Sequence, residues 1–216
     1  MSIRDNNDTT GKPIRILCVD DHPMLREGIA AVLEGQPDML LVGEATNGNE
    51  AIAMFRQHQP DVTLMDLRMP DMNGIEAISH IRAEYKEARI IVLTTYAGDV
   101  QAVAALKAGA SAYLLKSMLR KELIDTIRTV HAGKRRIVPE IAAQIAEHAV
   151  DDPLTAREIE VLRLVSTGHS NKRIAAQLNI TESTVKAHMK SIISKLGAND
   201  RTHAVTIALK RGMFDV

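Results

Sequence analysis

The stretch Ile14-Arg15-Ile16-Leu17-Cys18-Val19-Asp20-Asp21 decides the fold. Six residues rich in branched apolar side chains read as a buried strand, and two carboxylates follow it without a break. The plan recurs down the chain: Val62–Met65 runs into Asp66, Ile90–Leu93 into Thr94 and Ala112–Leu115 into Lys116, with Leu40–Ala45 as a further candidate strand. Between these runs apolar residues return at three- and four-residue spacing: Leu25/Ile29/Val32/Leu33, Ala51/Met54/Phe55, Ile75/Ile78/Ile81 and Val103/Ala104/Leu106, with Leu123/Ile124/Ile127/Val130 after the last strand. Strand and helix alternating five times over residues 14–131 predict a doubly wound α/β unit with a five-stranded parallel sheet, because every parallel connection needs a crossover. Pro23, Asn47 and Asn73 stand where helices would start, and Gly35 and Gly109 follow helical runs.

In such a sheet, ligands bind beyond the carboxyl ends of the strands. Asp20, Asp21, Asp66, Thr94 and Lys116 therefore converge on one edge. Crowded carboxylates repel one another unless a hard cation neutralises them, and Mg²⁺ prefers carboxylate and carbonyl oxygens. A hydroxyl and an ammonium facing them suit the oxygens of a phosphoryl group carried on Asp66. Any one strand-end Asp, Thr or Lys is commonly a cap or a salt-bridge partner; their recurrence at four of five consecutive strand ends favours a site. His22 reads as an exposed residue at a helix entrance and Cys18 as a small buried apolar side chain.

The second half of the chain has another character. Residues 1–150 carry 17 basic and 20 acidic side chains, whereas residues 151–216 carry 10 and 7, so the halves have opposite net charge and are expected to meet different partners. Over the whole chain 27 basic residues balance 27 acidic ones, which excludes coating of nucleic acid by bulk positive charge; any such contact is local. Residues 132–139 combine a glycine, the basic run Lys134–Arg136 and a proline, which reads as a linker with a solvated face. Ile141–Ala149 reads as a short helix, and the rest is helical without strand signals. Thr155-Ala156-Arg157-Glu158 has the form of a capping box. Gly168 ends that helix, Ser170 caps a second, and after Asn179-Ile180 Thr181 caps a third, which is helix–turn–helix spacing. On the third helix Val185, Met189, Ile192, Ile193 and Leu196 form one apolar stripe, while Ser183, Lys186, Ala187, Lys190 and Ser194 fall on the reverse face. Like charges four residues apart disfavour an isolated helix, so Lys186 and Lys190 point to an anionic partner, and a small, basic face suits a DNA groove. The plainer reading, two solvated lysines, stays open on periodicity alone, and His188 lies at the border between the faces.

A single cysteine, Cys18, rules out an internal disulfide and a multi-cysteine metal site. No apolar run approaches the roughly 18–20 residues of a spanning helix, and Met1–Lys12 is polar; a cytoplasmic protein with no membrane association is expected. The expected organisation is a disordered tail over 1–13, the α/β unit over 14–131, a linker with a short helix over 132–150 and a small all-α unit over 151–216.

These residues carry a family resemblance. With Asp20-Asp21, Asp66-Leu67-Arg68-Met69-Pro70, Asn73-Gly74, Thr94-Thr95 and Ala108-Gly109-Ala110…Lys116, residues 14–131 resemble the flavodoxin-like receiver domain of bacterial two-component response regulators. The resemblance implies that Asp66 accepts a phosphoryl group from a sensor histidine kinase. It implies that Asp20, Asp21, Asp66 and the backbone carbonyl of Arg68 hold Mg²⁺, that Thr94 senses the phosphoryl group and Lys116 pairs with it, and that Tyr113 is an aromatic switch. Lys116 is followed by Ser117, whereas many receivers carry proline there; a cis bond at that point would cost roughly 3–4 kcal/mol, and the residues leave that loop's geometry open. Residues 150–216 resemble the LuxR-type DNA-binding domain through Leu154-Thr155…Arg157-Glu158…Val161-Leu162, Gly168…Asn171-Lys172…Ile174-Ala175, Leu178…Ile180-Thr181-Glu182…Thr184-Val185-Lys186…His188, Lys195-Leu196 and Arg201. Together the halves resemble NarL/FixJ-class regulators. That implies DNA contacts from Lys186, Ala187 and Lys190, with Lys172 and Thr184 in support and Arg173 beside them, and dimerisation on activation through Thr202–Lys210. It also implies RNA polymerase as a further partner. A metabolic enzyme is not expected: phosphohydrolases that form an aspartyl-phosphate typically place a second carboxylate two residues on, and here that place is Arg68. A phosphate-receiving interaction module without DNA binding is the other rival, and Lys186 and Lys190 speak against it.

Overall fold

The computed structural model describes residues 12–95, 98–137, 139–148 and 152–214. Apart from Lys12 and Pro13, the tail expected over 1–13 lies outside them. Two compact units are present. The first runs to Thr95 and takes in Ala105–Ile137; the second takes in residues 98–104 and the helices beyond Ile137.

In the first unit six strands, β1 (Ile14–Val19), β2 (Met39–Ala45), β3 (Val62–Asp66), β4 (Ile90–Thr94), β5 (Ala112–Leu115) and β6 (Arg136–Ile137), form one sheet in the order β2-β1-β3-β4-β5-β6. All pairings are parallel. Every residue of β3 and β4 is buried, as parallel strands with helices on both faces require. The connections are α1 (Pro23–Glu34), α2 (Gly48–His58), α3 (Gly74–Glu84), α4 (Asp99–Ala108) and α5 (Leu119–His131). Local chemistry starts several of them. Pro23 occupies the first turn of α1, and the Asn47 and Asn73 side chains accept from the amides of Glu50 and Glu76 at 2.9 Å each, satisfying amides that a helix start leaves orphaned.

The sheet has six strands where five were expected. Two residues are too few to show a period of two, and β6 sits inside the basic run that reads as linker. Arg136 nonetheless pairs with Glu122 of α5, and Lys134 and Arg135 stay exposed.

The second unit contains α6 (Pro139–Glu147), α7 (Ala156–Ser166), α8 (Asn171–Leu178), α9 (Glu182–Lys195) and α10 (Arg201–Lys210). Both halves of the capping box are made at Thr155: its hydroxyl accepts from the Glu158 amide at 3.2 Å, and the Glu158 carboxylate accepts from the Thr155 amide at 2.7 Å. Gly168 follows α7 at φ +80° and Asn179 follows α8 at φ 53°, left-handed conformations that suit these two residue types. Val161, Leu162, Ile174, Val185, Ile192 and Ala204 are fully buried, so α7, α8, α9 and α10 share one core. No helix among the described residues is long and apolar enough to cross a membrane.

Candidate phosphoacceptor pocket and nucleic-acid face

Register brings the pocket together. Val19 of β1 pairs with Met65 of β3, so the next residues, Asp20 and Asp66, lie side by side. Thr94 pairs with Leu115, which brings Lys116 in from the other flank. Asp66 and Thr94 are the last residues of β3 and β4 rather than the first beyond them, and Asp20, Asp66 and Thr94 are all buried. Nζ of Lys116 lies 2.7 Å from Asp20 Oδ2 and 2.8 Å from Asp66 Oδ2; only the second contact has hydrogen-bond geometry. Burial pushes the Asp66 carboxyl above the usual carboxylate range; Lys116 opposes that push and the charge of Asp20 adds to it. Burial also works against the charge of Lys116, but the carboxylates of Asp20 and Asp66 outweigh it and hold its ammonium above the usual lysine range.

Asp20, Asp21, His22 and Asp66 each bring one ligand atom within 4.8 Å of the others. His22, which reads from sequence as an exposed helix entrance, is 67% exposed, yet its Nδ1 lies 2.6 Å from Asp21 Oδ1 and 3.1 Å from Asp20 Oδ1. Its amide donates to Asp20 Oδ1 at 2.9 Å, and the Arg26 guanidinium donates to the Asp20 carbonyl at 2.7 Å. These two residues fix the β1–α1 turn, and a reading of strand ends passes over them because both belong to the helix side. The carboxylate oxygens are hard donors, and Asp20 Oδ2 and Asp21 Oδ1 are buried with only the ion-pair contacts to Lys116 and His22 and no hydrogen bond, which fits Mg²⁺. Of Arg68, the amide donates to Asp66 Oδ1 at 3.3 Å. Gly74 lets α3 begin directly under the acceptor: a Cβ there would collide with the Asp66 carbonyl oxygen. Next to the pocket a cavity of about 410 Å³ is lined by His22, Met24, Leu25, Thr95 and Lys116.

Tyr113 is buried, with its ring inside the fold. Burial pushes its hydroxyl up to about 12 against a hydrogen bond with Thr94, which lowers it. The expected switch pair is thus in contact. The bond between Lys116 and Ser117 is trans, as are all those described, and a short 3₁₀ turn, Lys116–Met118, leads into α5. Cys18 is buried, and burial together with Asp20 pushes its thiol up to about 12, which leaves it an inert core side chain.

In the helical unit the basic residues divide into two sets. Arg157 donates to the Leu178 carbonyl at 2.7 Å and Arg201 to the His169 carbonyl at 3.1 Å. Lys195 Nζ sits 3.1 Å from Glu158 Oε2. Those charges hold the fold. Lys172, Arg173, Lys186 and Lys190 are exposed and have no ion-pair partner among the described residues. On α9, Val185, Met189 and Ile192 are buried while Ser183, Lys186, Ala187, Lys190 and Ser194 are exposed, with Thr184 and His188 between. Glu158, legible in the sequence only as a cap, does more. Its Oε1 accepts from the Ser191 hydroxyl at 2.6 Å and its Oε2 from Lys195, tying the start of α7 to the far end of α9. Burial opposes its charge, but the bonds from Ser191, the Thr155 amide and Lys195 hold the carboxyl down to about 2.

Residues 16–128 match the family described as response regulator receiver domain, and residues 152–208 match bacterial regulatory proteins, luxR family. Over 203 residues the chain is 41% identical to the transcriptional regulatory protein LiaR of Bacillus subtilis (strain 168), covering 90% of this chain and 96% of that one. It is 38% identical over 206 residues to the response regulator protein VraR of Staphylococcus aureus, covering 93% and 99%. Among solved structures, RcsB from Salmonella enterica serovar Typhimurium, bound to promoter P1flhDC in the presence of the phosphomimetic BeF3-, superposes with a TM-score of 0.70 at 27% identity, covering 90% of this chain and 97% of that chain. The response regulator ChrA of a heme-sensing two-component system superposes with a TM-score of 0.57 at 35% identity, covering 94% and 99%.

Proposed function

The chain belongs to the response regulators that join a receiver domain to a LuxR-type DNA-binding domain, and from that premise we propose that Asp66 is its phosphoacceptor and that phosphorylation there switches DNA binding through α9. The observation that carries the first part is Lys116 bridging Asp20 and Asp66 at the carboxyl ends of neighbouring strands. An ionised Asp66 oxygen attacks the phosphorus of a phosphohistidine on a sensor histidine kinase; the P–N bond breaks and the imidazole leaves, taking its proton from solvent. The cavity beside Lys116 and His22 gives that ring an approach. Asp20, Asp21, Asp66 and the Arg68 carbonyl would hold Mg²⁺, which supplies positive charge to the phosphoryl oxygens and lowers the cost of crowding three carboxylates.

Phosphorylation adds negative charge and new acceptor oxygens. Lys116 pairs with them, and the Thr94 hydroxyl turns toward them, giving up its bond to Tyr113; the freed tyrosine is the local change that biases a two-state surface. Output is double-stranded DNA binding as a homodimer, with Lys186, Ala187 and Lys190 in the groove, Lys172 and Thr184 on phosphates and Thr202–Lys210 at the dimer contact. Two linked DNA heads raise avidity without new base contacts. RNA polymerase is the further partner of a promoter-bound dimer, and all these partners place the protein in the cytoplasm. The full chain tests this reading: its mass in solution and its affinity for genomic fragments it retains are measured with and without beryllofluoride. A dimer with tighter binding is expected; no change in either would contradict the gating.

A further inference from the structure

The DNA face of α9 contains a charged group that the contacts proposed above leave idle. Glu182 is the only acidic residue of α9. It is exposed and in one row with Lys186 and Lys190, four and eight residues on, over the helix's leading turns. Glu followed by Lys at this spacing commonly forms an ion pair, yet Glu182 and Lys186 have no ion-pair partner among the described residues. The neighbouring hydroxyls are turned back on the cap, with Thr181 Oγ1 lying 2.7 Å from Ser183 Oγ and 2.8 Å from Thr184 Oγ1. At the front of the helix the Glu182 carboxylate is therefore an acceptor with no partner among the described residues. A recognition helix contacts base edges chiefly through its N-terminal residues. There, a carboxylate finds its partner in the N4 amino group of cytosine, and lysine finds its own in guanine O6 and N7.

Resting on the reading of α9 as the DNA face, we propose that Glu182 is a specificity-determining residue that accepts a hydrogen bond from a cytosine N4 amino group, close to a guanine taken by Lys186. Four residues of helix rise about 6 Å, under two base-pair steps of roughly 3.4 Å, so the two bases are neighbours or next-neighbours. The same negative charge repels phosphates, which weakens binding to unrelated DNA and widens the gap between right and wrong sites. An acid at a helix start also favours the helix dipole, but that role is blind to base sequence.

The full chain with beryllofluoride is offered a library of randomised DNA duplexes. The retained consensus is then synthesised with each base pair replaced in turn, and affinities are compared for wild type, Glu182→Gln and Lys186→Ala, with folding checked by circular dichroism. Wild type is expected to prefer one C·G pair by about tenfold or more. In Glu182→Gln that preference is expected to vanish or pass to adenine, which glutamine reads, while binding to an unrelated duplex strengthens. If Glu182→Gln changes affinity for every duplex by one factor and keeps the base ranking at every position, the proposal is overturned while the DNA face stands. If Lys186→Ala binds every duplex as wild type does, the DNA face itself is wrong, and the proposal falls with it.

Discussion

Replacing Glu158 with glutamine keeps the shape of the side chain, lets its single carbonyl oxygen accept from the Thr155 amide while its NH₂ donates to the Ser191 hydroxyl, and removes the charge that faces Lys195. The carboxyl ionises at about 2 in the fold against 4.5 in the free chain, so its ionisation contributes about 3 kcal/mol at neutral pH. The sign follows from the lowered value. The contribution is complete above 4.5, declines as pH falls, and is gone below about 2; at pH 3 about 1.5 kcal/mol remains. Amide hydrogen exchange of the full chain follows the helical unit by itself, with peptides from α7 and α9 read by mass spectrometry and rates normalised to the intrinsic exchange rate at each pH. In Glu158→Gln the most protected amides of these helices are expected to exchange roughly a hundredfold faster at pH 7. At pH 3 the difference is expected to shrink to roughly tenfold. An equal penalty at both pH values would show that shape rather than charge ties α7 to α9, and the account of this residue would be wrong.

Further outcomes concern the pocket and the DNA face. Lys186→Ala and Lys190→Ala are expected to weaken DNA binding with no loss of helical content, and each phosphate contact removed should shallow the plot of log affinity against log salt by about one; unchanged affinity in both would return these lysines to solvent. Gly74→Ala drives a methyl group into the Asp66 carbonyl, so the acceptor strand must shift; slower phosphorylation by phosphoramidate and a lower Tm are expected, and wild-type behaviour would show that the turn yields freely. Lys116→Met removes the ammonium that competes for Asp20 and Asp66, so Mg²⁺ is expected to bind at least tenfold tighter (about 1.4 kcal/mol) in a titration followed by tyrosine fluorescence, while the phosphorylated form accumulates less. Unchanged Mg²⁺ affinity would separate the lysine from the metal site.

The strand-end residues were legible because a parallel sheet makes a position in sequence into a position in space: a polar side chain directly after a buried strand has to lie at the carboxyl edge. Asp20, Asp66, Thr94 and Lys116 could be placed by that rule alone. The rule is silent about groups that arrive from helices, and so His22 and Arg26 acquired roles only in three dimensions. Periodicity separated the buried stripe of α9 from its exposed face but could not sort one basic residue from another. Lys195 and Lys190 look alike in sequence; a carboxylate brought over from α7 engages the first and leaves the second to solvent. β6 escaped notice because two residues within a charged run carry no pattern.

Whether Asp66 is the acceptor is decided most directly by the intact mass of the full chain after incubation with phosphoramidate, compared between wild type and Asp66→Asn, with and without Mg²⁺. The expected result is one added phosphoryl group on wild type, dependent on Mg²⁺, and none on the Asn variant under either condition. Equal labelling of Asp66→Asn would contradict the central claim, since the carboxylate that Lys116 and Asp20 surround would then not be the group that receives the phosphate.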